Sequence, residues 1–196
     1  MKEVVIIGEG VLGLCTARFL RQEGMQVTII DKGDFSDGCS FGNAGMIVPS
    51  HFTPLASPGM IAKGIGWMFA KSSPFFIRPR LSGELMQWLW LFYKSATKKH
   101  VTEYAPLLRD WHEESREMFA YWNQLPDFSF DFERKGILML FQRAAAEQEE
   151  MEVATKAHGL GMEAVFLSPE KLKELEPGIT MNVRGAIHYP GDAHLS

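Results

Sequence analysis

The first 31 residues constrain the chain more than any other stretch. Val4-Val5-Ile6-Ile7 is a short, continuous β-branched run, the pattern of a strand buried on both faces of a parallel sheet. It runs into Gly8-Glu9-Gly10-Val11-Leu12-Gly13, which fits G-x-G-x-x-G. Residues 14–23 read as a helix, and Gly24 suits the position just past its end. Gln26-Val27-Thr28-Ile29-Ile30 is a second strand, ending at Asp31. Strand, glycine turn, helix, strand and terminal acid in this order form the βαβ unit that binds dinucleotides.

Each part has a physical task. Gly8 permits the tight turn, Gly10 lets the backbone approach a pyrophosphate, and Gly13 lets the helix lie close to the strand. The helix N-terminus offers unbonded N–H groups and partial positive charge to the phosphates. Asp31, with Lys32 next to it, is placed to accept hydrogen bonds from the adenosine ribose, and an acid there disfavours the 2′-phosphate of NADP. Glu9 is expected to point away from the phosphate. The alternative is a glycine-rich turn that binds nothing.

The residues after Asp31 bear on which dinucleotide is bound. An NAD domain continues with another crossover helix and a third strand, whereas this chain gives a polar loop, residues 32–39, and then Ser40-Phe41-Gly42-Asn43-Ala44-Gly45-Met46. Small residues there suit the close approach of a flat ring. At this point the sequence resembles the FAD-dependent amine oxidoreductases of the D-amino-acid oxidase superfamily, the bacterial D-amino-acid dehydrogenases most of all. Ser40 to Gly45 is similar to that family's flavin-contacting loop. Pro54-Leu55-Ala56-Ser57-Pro58-Gly59-Met60, Trp67-Met68-Phe69, Ile77-Arg78-Pro79, Leu175-Glu176-Pro177 and residues 185–194 continue the resemblance in order.

The resemblance implies FAD as cofactor, with Gly8, Gly10, Val11, Leu12, Gly13, Asp31, Lys32, Ser40, Asn43, Ala44, Gly45 and Met46 as the residues that hold it. It implies a D-amino acid or cyclic imino acid as substrate, hydride transfer from the amine α-carbon to flavin N5, and hydrolysis of the imine to a 2-oxo acid. The electron acceptor is left open among quinone, oxygen and another protein. Members of the family are about twice as long, so the chain resembles an N-terminal half. A fragment, an interrupted gene and one subunit of a split enzyme are the alternatives, and the missing half or a partner chain would complete it. The expected fold is α/β: a Rossmann-type FAD-binding βαβ unit with an incomplete parallel sheet, joined to part of an α+β substrate domain. Residues 1–50 are assigned to the FAD-binding domain and 51–190 to helical segments and a partial substrate-domain sheet. Residues 191–196 begin a return to the FAD domain. Such an incomplete sheet leaves unpaired strand edges. An NAD-linked Rossmann oxidoreductase and a non-catalytic subunit are the other functional readings.

Composition narrows the classes further. Lys+Arg 20 against Asp+Glu 24 gives a net charge of -4 without a long basic run, which disfavours nucleic acid as a partner. Cys15 and Cys39 form no disulfide framework or zinc pattern, and the six histidines have no ligand spacing, so no metal is expected. Four apolar residues at the start are too few for the core of a signal peptide, and no stretch matches a spanning helix. A cytoplasmic location is expected, at the inner face of the membrane if the chain makes a peripheral contact there.

Further along, residues 50–80 read as irregular with short helices. Residues 81–97 read as a helix apolar all round, hence buried; a membrane-surface contact helped by Lys94, Lys98 and Lys99 is the alternative. Residues 106–123 read as a helix whose core face holds Leu108, Trp111, Ser115, Met118, Phe119 and Trp122. Residues 128–133 and 136–141 read as a hairpin turning at Arg134-Lys135-Gly136. Residues 144–158 form a charged helix with Glu147 to Glu150 on a solvated face. Residues 163–166 and 184–189 read as strands, with a short helix from Pro169 between them. Among single residues, His51 is a candidate for the substrate cavity or an ordinary loop histidine. Cys39 is expected as a small buried residue and Cys15 as helix packing, while Asp192 and His194 match a family loop that approaches the FAD domain.

Overall fold

The computed structural model describes residues 2–33, 38–39, 42–69, 77–78, 80, 82–126 and 130–195. They divide into two compact units, Met1–Met46 and Ile47–Ser196.

In the first unit, β1 (Glu3–Ile7) pairs in parallel with β2 (Gln26–Ile30), Glu3 opposite Gln26 and Ile7 opposite Ile30. The crossover is α1 (Val11–Gln22), which starts three residues before the expected boundary, directly after Gly10. Its C-terminus is a Schellman motif: Met25 N–H donates to Leu20 O, Gly24 N–H donates to Arg21 O, and Gly24 takes the left-handed conformation this requires. The alternation of β1 corrects the expected two-sided burial. Ile6 lies against α1, but Val5 and Ile7 project from the other face, Ile7 87% exposed. Two strands and one helix cover one face only, so the β-branched run is half-buried.

The second unit begins at Ile47, the end of β3 (Met46–Ile47). Its helices are α2 (Met60–Met68), α3 (Gly83–Ser95), α4 (Lys98–Trp122), α5 (Ala144–Gly159) and α6 (Pro169–Leu175). Its strands are β4 (Phe132–Glu133), β5 (Ile137–Phe141), β6 (Val165–Leu167), β7 (Gly185–Tyr189) and β8 (Ala193–Leu195). Hydroxyls set three of the helix starts: Ser82, Thr97 and Ser168 accept from the N–H groups of Leu85, His100 and Lys171. β7 is central in an antiparallel sheet of order β5-β7-β6. The core forms where this sheet meets α4 and α5, from Phe52, Ala105, Phe141, Ala154, Ala157, Ala164, Ile187 and Tyr189. Alanines at 154 and 157 bring the α5 backbone close to the sheet, so its core stripe is narrow and its remaining faces carry charge.

Several expectations are overturned. β4 and β5 form no hairpin: β4 pairs with β8, whereas β5 pairs with β7, because the chain passes from one sheet to the other through residues 134–136. Phe128 and Ser129 lie outside the described residues. α4 starts at Lys98 and runs through Pro106, which the sequence suggested as its start. Its buried residues are Ala105, Arg116 and Trp122, while Trp111 is 63% exposed. α3 is not buried; Met86, Trp88, Trp90, Leu91 and Tyr93 are exposed. Its Trp88 and Phe92 stack at 5.3 Å between centroids and, with Ile61 and Ile65 of α2, line an apolar groove of about 320 Å³. The acidic run on α5 is not simply solvated, since Glu147 pairs with Arg184 at 2.7 Å and Glu149 with Lys63 at 2.8 Å. Among the described residues, no helix is long and apolar enough to cross a membrane.

Candidate functional site

The first unit builds a cradle from its glycine turn. Gly8 has φ +110°, open to glycine and unfavourable for other residues, and its N–H donates to Ile30 O at 2.9 Å, tying the end of β1 to β2. A Cβ on Gly13 would lie 2.0 Å from Gly8 O and 3.1 Å from Gly8 C, so the start of α1 rests directly on the turn. No side chain caps the α1 N-terminus, and its first turn carries no acid. The partial positive charge of the helix end therefore faces its surroundings without a competing carboxylate.

Asp31 closes the cradle from the end of β2. Its Oδ2 accepts from Glu9 N–H at 2.8 Å and its Oδ1 from Gly33 N–H at 2.9 Å. These bonds, the Gly33 one foremost, hold the carboxyl below the usual aspartate range. Each oxygen retains acceptor capacity, which is what a vicinal diol needs. Glu9 is buried at 7% exposure, and its N–H is committed to Asp31, leaving the first turn of α1 as the phosphate-facing donor set. A positive-φ turn, a close-packed third glycine, an uncapped helix start and an ionised acid fit the adenosine end of a dinucleotide. Val11 and Leu12, at the helix start, are exposed, as is Lys32.

The loop after Asp31 is described in part. Ser40 and Phe41 lie outside the described residues. Asn43 Oδ1 accepts from Gly45 N–H at 2.6 Å, a local turn that fixes Ala44 between them, and Met46 is half exposed. Cys39, expected as a small buried residue, is exposed. Cys15 is half-buried on α1, and that burial pushes its thiol pKa up.

The second unit contains a polar cluster of its own. Asp192, 1% exposed, accepts from Ser50 N–H at 3.1 Å through Oδ1 and from the Ser50 hydroxyl at 2.5 Å through Oδ2. Ser50 Oγ in turn lies 3.2 Å from Nδ1 of His51. Arg116, buried on α4, donates through Nη1 to Gly191 O at 2.8 Å and through Nη2 to Glu117 at 2.7 Å. Desolvation raises the Asp192 pKa, opposed by Ser50, His51 and Arg116. The same burial pushes the Tyr189 phenol up to about 12, with Glu150 and Asp192 adding to it. It also raises Glu150 and lowers His112. Among the described residues, Tyr189 OH and His112 Nδ1 are buried without a hydrogen-bond partner. Arg116, Tyr189 and Asp192 border a polar recess of about 220 Å³ that Glu113, Arg134 and Glu163 also line.

Sequence reasoning singled out His51 and Asp192 separately and missed Ser50, Arg116, His112, Tyr189 and Glu150. Ser50 and Asp192 are 142 positions apart, and only the fold joins them. Among the described residues, no three His, Cys, Asp or Glu side chains are placed to hold a metal ion.

Comparison with known proteins agrees with the first unit's geometry. Residues 3–196 match the DAO family model, described as FAD dependent oxidoreductase. D-amino acid dehydrogenase of Neisseria meningitidis serogroup C is 32% identical over 196 residues, covering 97% of this chain and 47% of the relative. D-amino acid dehydrogenase 2 of Ralstonia nicotianae is 31% identical over 188 residues, 94% of this chain and 44% of the relative. The chain thus spans about half the length of the curated relatives it matches. Glycine oxidase from Geobacillus kaustophilus superposes with a TM-score of 0.65 at 19% identity, covering 100% of this chain and 41% of that structure. L-proline dehydrogenase from P. horikoshii gives a TM-score of 0.58 at 18% identity, covering 98% and 37%. Both share the fold.

Proposed function

The chain belongs to the family of FAD-dependent oxidoreductases, and from that membership we propose that it carries the cofactor-binding part of an enzyme oxidising the CH–NH bond of a D-amino acid or cyclic imino acid. The observation that carries this reading is the cradle of Gly8, Gly10, Gly13 and Asp31. Gly13 lets α1 rest on Gly8, the uncapped helix start offers its N–H groups to a pyrophosphate when one binds, and Asp31 keeps acceptor capacity on both carboxylate oxygens. Asn43, Ala44, Gly45 and Met46 extend the cofactor site along the adjoining loop. The names of the 31–32% identical relatives support D-amino acids as the substrate class.

FAD, when bound, supplies a two-electron acceptor for hydride leaving the substrate α-carbon. The chain's own residues bind and orient the dinucleotide. The resulting imine, released to water, hydrolyses to a 2-oxo acid, with ammonia from a primary amine. The test is to load the purified chain with FAD, desalt it, and mix it without oxygen with D-amino acids and proline derivatives. Bleaching of retained flavin by any of these supports the reading. A chain that takes up no FAD refutes it, and saturable NADH binding without flavin affinity favours the NAD-linked alternative.

A further inference from the structure

Residues 60–100, which hold α2, α3 and the start of α4, contain Lys or Arg seven times and Asp or Glu once, whereas residues 101–196 contain them nine and 17 times. A stretch of charge +6 therefore lies within a chain of net charge -4. Lys63 is paired with Glu149, but Arg78, Arg80, Lys94, Lys98 and Lys99 are exposed and form no ion pair among the described residues. These cations bracket apolar surface. One side of α3 lines the groove against α2 with Trp88, Leu89 and Phe92. Met86, Trp90 and Tyr93, at i, i+4 and i+7, make a second stripe turned away from that side, and all three are exposed. The Trp90 and Tyr93 rings stack at 5.9 Å, and Lys94 Nζ lies 5.9 Å from the Trp90 centroid. Arg78 and Arg80 border a recess near the first turns of α3, beside Leu85 and Trp88, and Lys98 and Lys99 follow its end.

The occupant of this surface must accept apolar side chains and cations together. A second copy of the chain on the same face would set one stretch of charge +6 against another. Lysine is also depleted at the cores of protein interfaces. An anionic bilayer surface meets both needs: its acyl boundary takes up apolar side chains, its headgroup level suits Trp and Tyr rings, and its phosphates attract Lys and Arg. α3 has 13 residues, about 20 Å in length and short of the ~30 Å hydrocarbon core, so it can lie on such a surface but not cross it. We propose that α3 and the start of α4 dock the protein on an anionic lipid bilayer surface. Met86, Trp90 and Tyr93 enter the headgroup boundary, and Lys94, Lys98 and Lys99 bind lipid phosphates. This docking does not depend on the oxidation chemistry proposed above.

The test is co-sedimentation of the full chain with vesicles of phosphatidylcholine alone or mixed equally with phosphatidylglycerol. The expected result is binding to the mixed vesicles at least about tenfold tighter than to phosphatidylcholine, weakening as salt is raised. Each lysine near an anionic surface is worth about fivefold in partition, so Lys94→Gln, Lys98→Gln and Lys99→Gln together weaken binding by roughly 100-fold. Tryptophan quenching by brominated lipid reads insertion, and the quenched fraction falls in Trp90→Phe. Equal binding to both vesicle types, wild-type binding by the lysine variant, or wild-type quenching in Trp90→Phe overturns the proposal. A second copy on this face appears instead as a concentration-dependent dimer without vesicle binding, and a protein partner as a monomer that ignores both vesicles. Each of those is equally fatal. If the lysine variant does not fold, quenching in Trp90→Phe decides alone.

Discussion

Replacing Gly13 with alanine tests whether the cradle depends on direct contact between α1 and the turn. The added Cβ would lie 2.0 Å from Gly8 O and 3.5 Å from Ile6 Cγ2. Nonbonded heavy atoms rest at roughly 3.5 Å, so the shortfall to the oxygen is about 1.5 Å. The oxygen belongs to the backbone, and no side-chain rotation relieves the overlap, so α1 must move off β1. Overpacking of this kind costs about 1–3 kcal/mol, and a backbone clash belongs at the upper end. A loss of about 3 kcal/mol raises the opening equilibrium of the first unit by roughly 150-fold. Amide hydrogen exchange reads this directly: β1 and β2 lose protection while β5 and β7 of the second unit keep theirs. FAD affinity, by fluorescence titration, falls by roughly tenfold or more, the equivalent of about 1.4 kcal/mol. Gly24→Ala separates packing from torsion. That site has φ +76° but nothing within 4 Å, so it should lose only about 1 kcal/mol. Wild-type exchange and FAD affinity in Gly13→Ala would refute the argument.

Other outcomes rest on particular contacts. Gly136→Ala would place a Cβ 2.6 Å from Tyr189 O and 2.9 Å from Pro190 Cα at φ +81°, so chemical denaturation should show a loss of about 2 kcal/mol or more in the second unit. Tyr189→Phe removes a buried hydroxyl with no partner and should be neutral or stabilising by up to about 1 kcal/mol in the same assay; a loss above that would mean the hydroxyl is paired. The Tyr189 pKa, raised in the folded state to about 12, makes a contribution fully present below the unfolded value of about 10 and lost as pH rises through about 12. Alkaline unfolding of wild type should therefore steepen in that window and flatten in Tyr189→Phe. Asp31 runs the other way. Its folded pKa is lowered, so its contribution is present above the unfolded value of about 3.9 and lost as pH falls through the lower folded value. FAD retention that depends on this carboxylate should persist through the ordinary aspartate range and fail only as pH falls through the lowered folded value, read in a desalting series; Asp31→Asn should weaken FAD affinity at every pH above that value.

The first unit was legible because everything that defines it is local. Glycine spacing, two β-branched runs and a terminal acid lie within 31 residues, and the interaction that needs Gly13 is with Gly8, five positions away. The second unit was legible in the presence of its longer helices and in the local Ser168 cap, while the Thr97 cap that starts α4 at Lys98 was missed. Its pairings were not legible. Residues 132–133 look like half of a hairpin with the next strand, yet they pair with 194–195, and turn chemistry near Gly136 carries no information about that partner. The core face of α4 was misread because apolar periodicity favoured Trp111, whereas Arg116 occupies the buried position through its bond to Gly191 O. The Ser50–Asp192 contact left no mark in either local sequence, since the two residues stand 142 positions apart and only the fold joins them.

The central claim is that residues 2–33 form an FAD cradle, and FAD titration of the purified chain with NADH as competitor tests it most directly. The predicted result is saturable FAD binding that survives desalting, is not displaced by NADH, and is weakened roughly tenfold or more in Gly13→Ala. Saturable NADH binding with no affinity for FAD would contradict it.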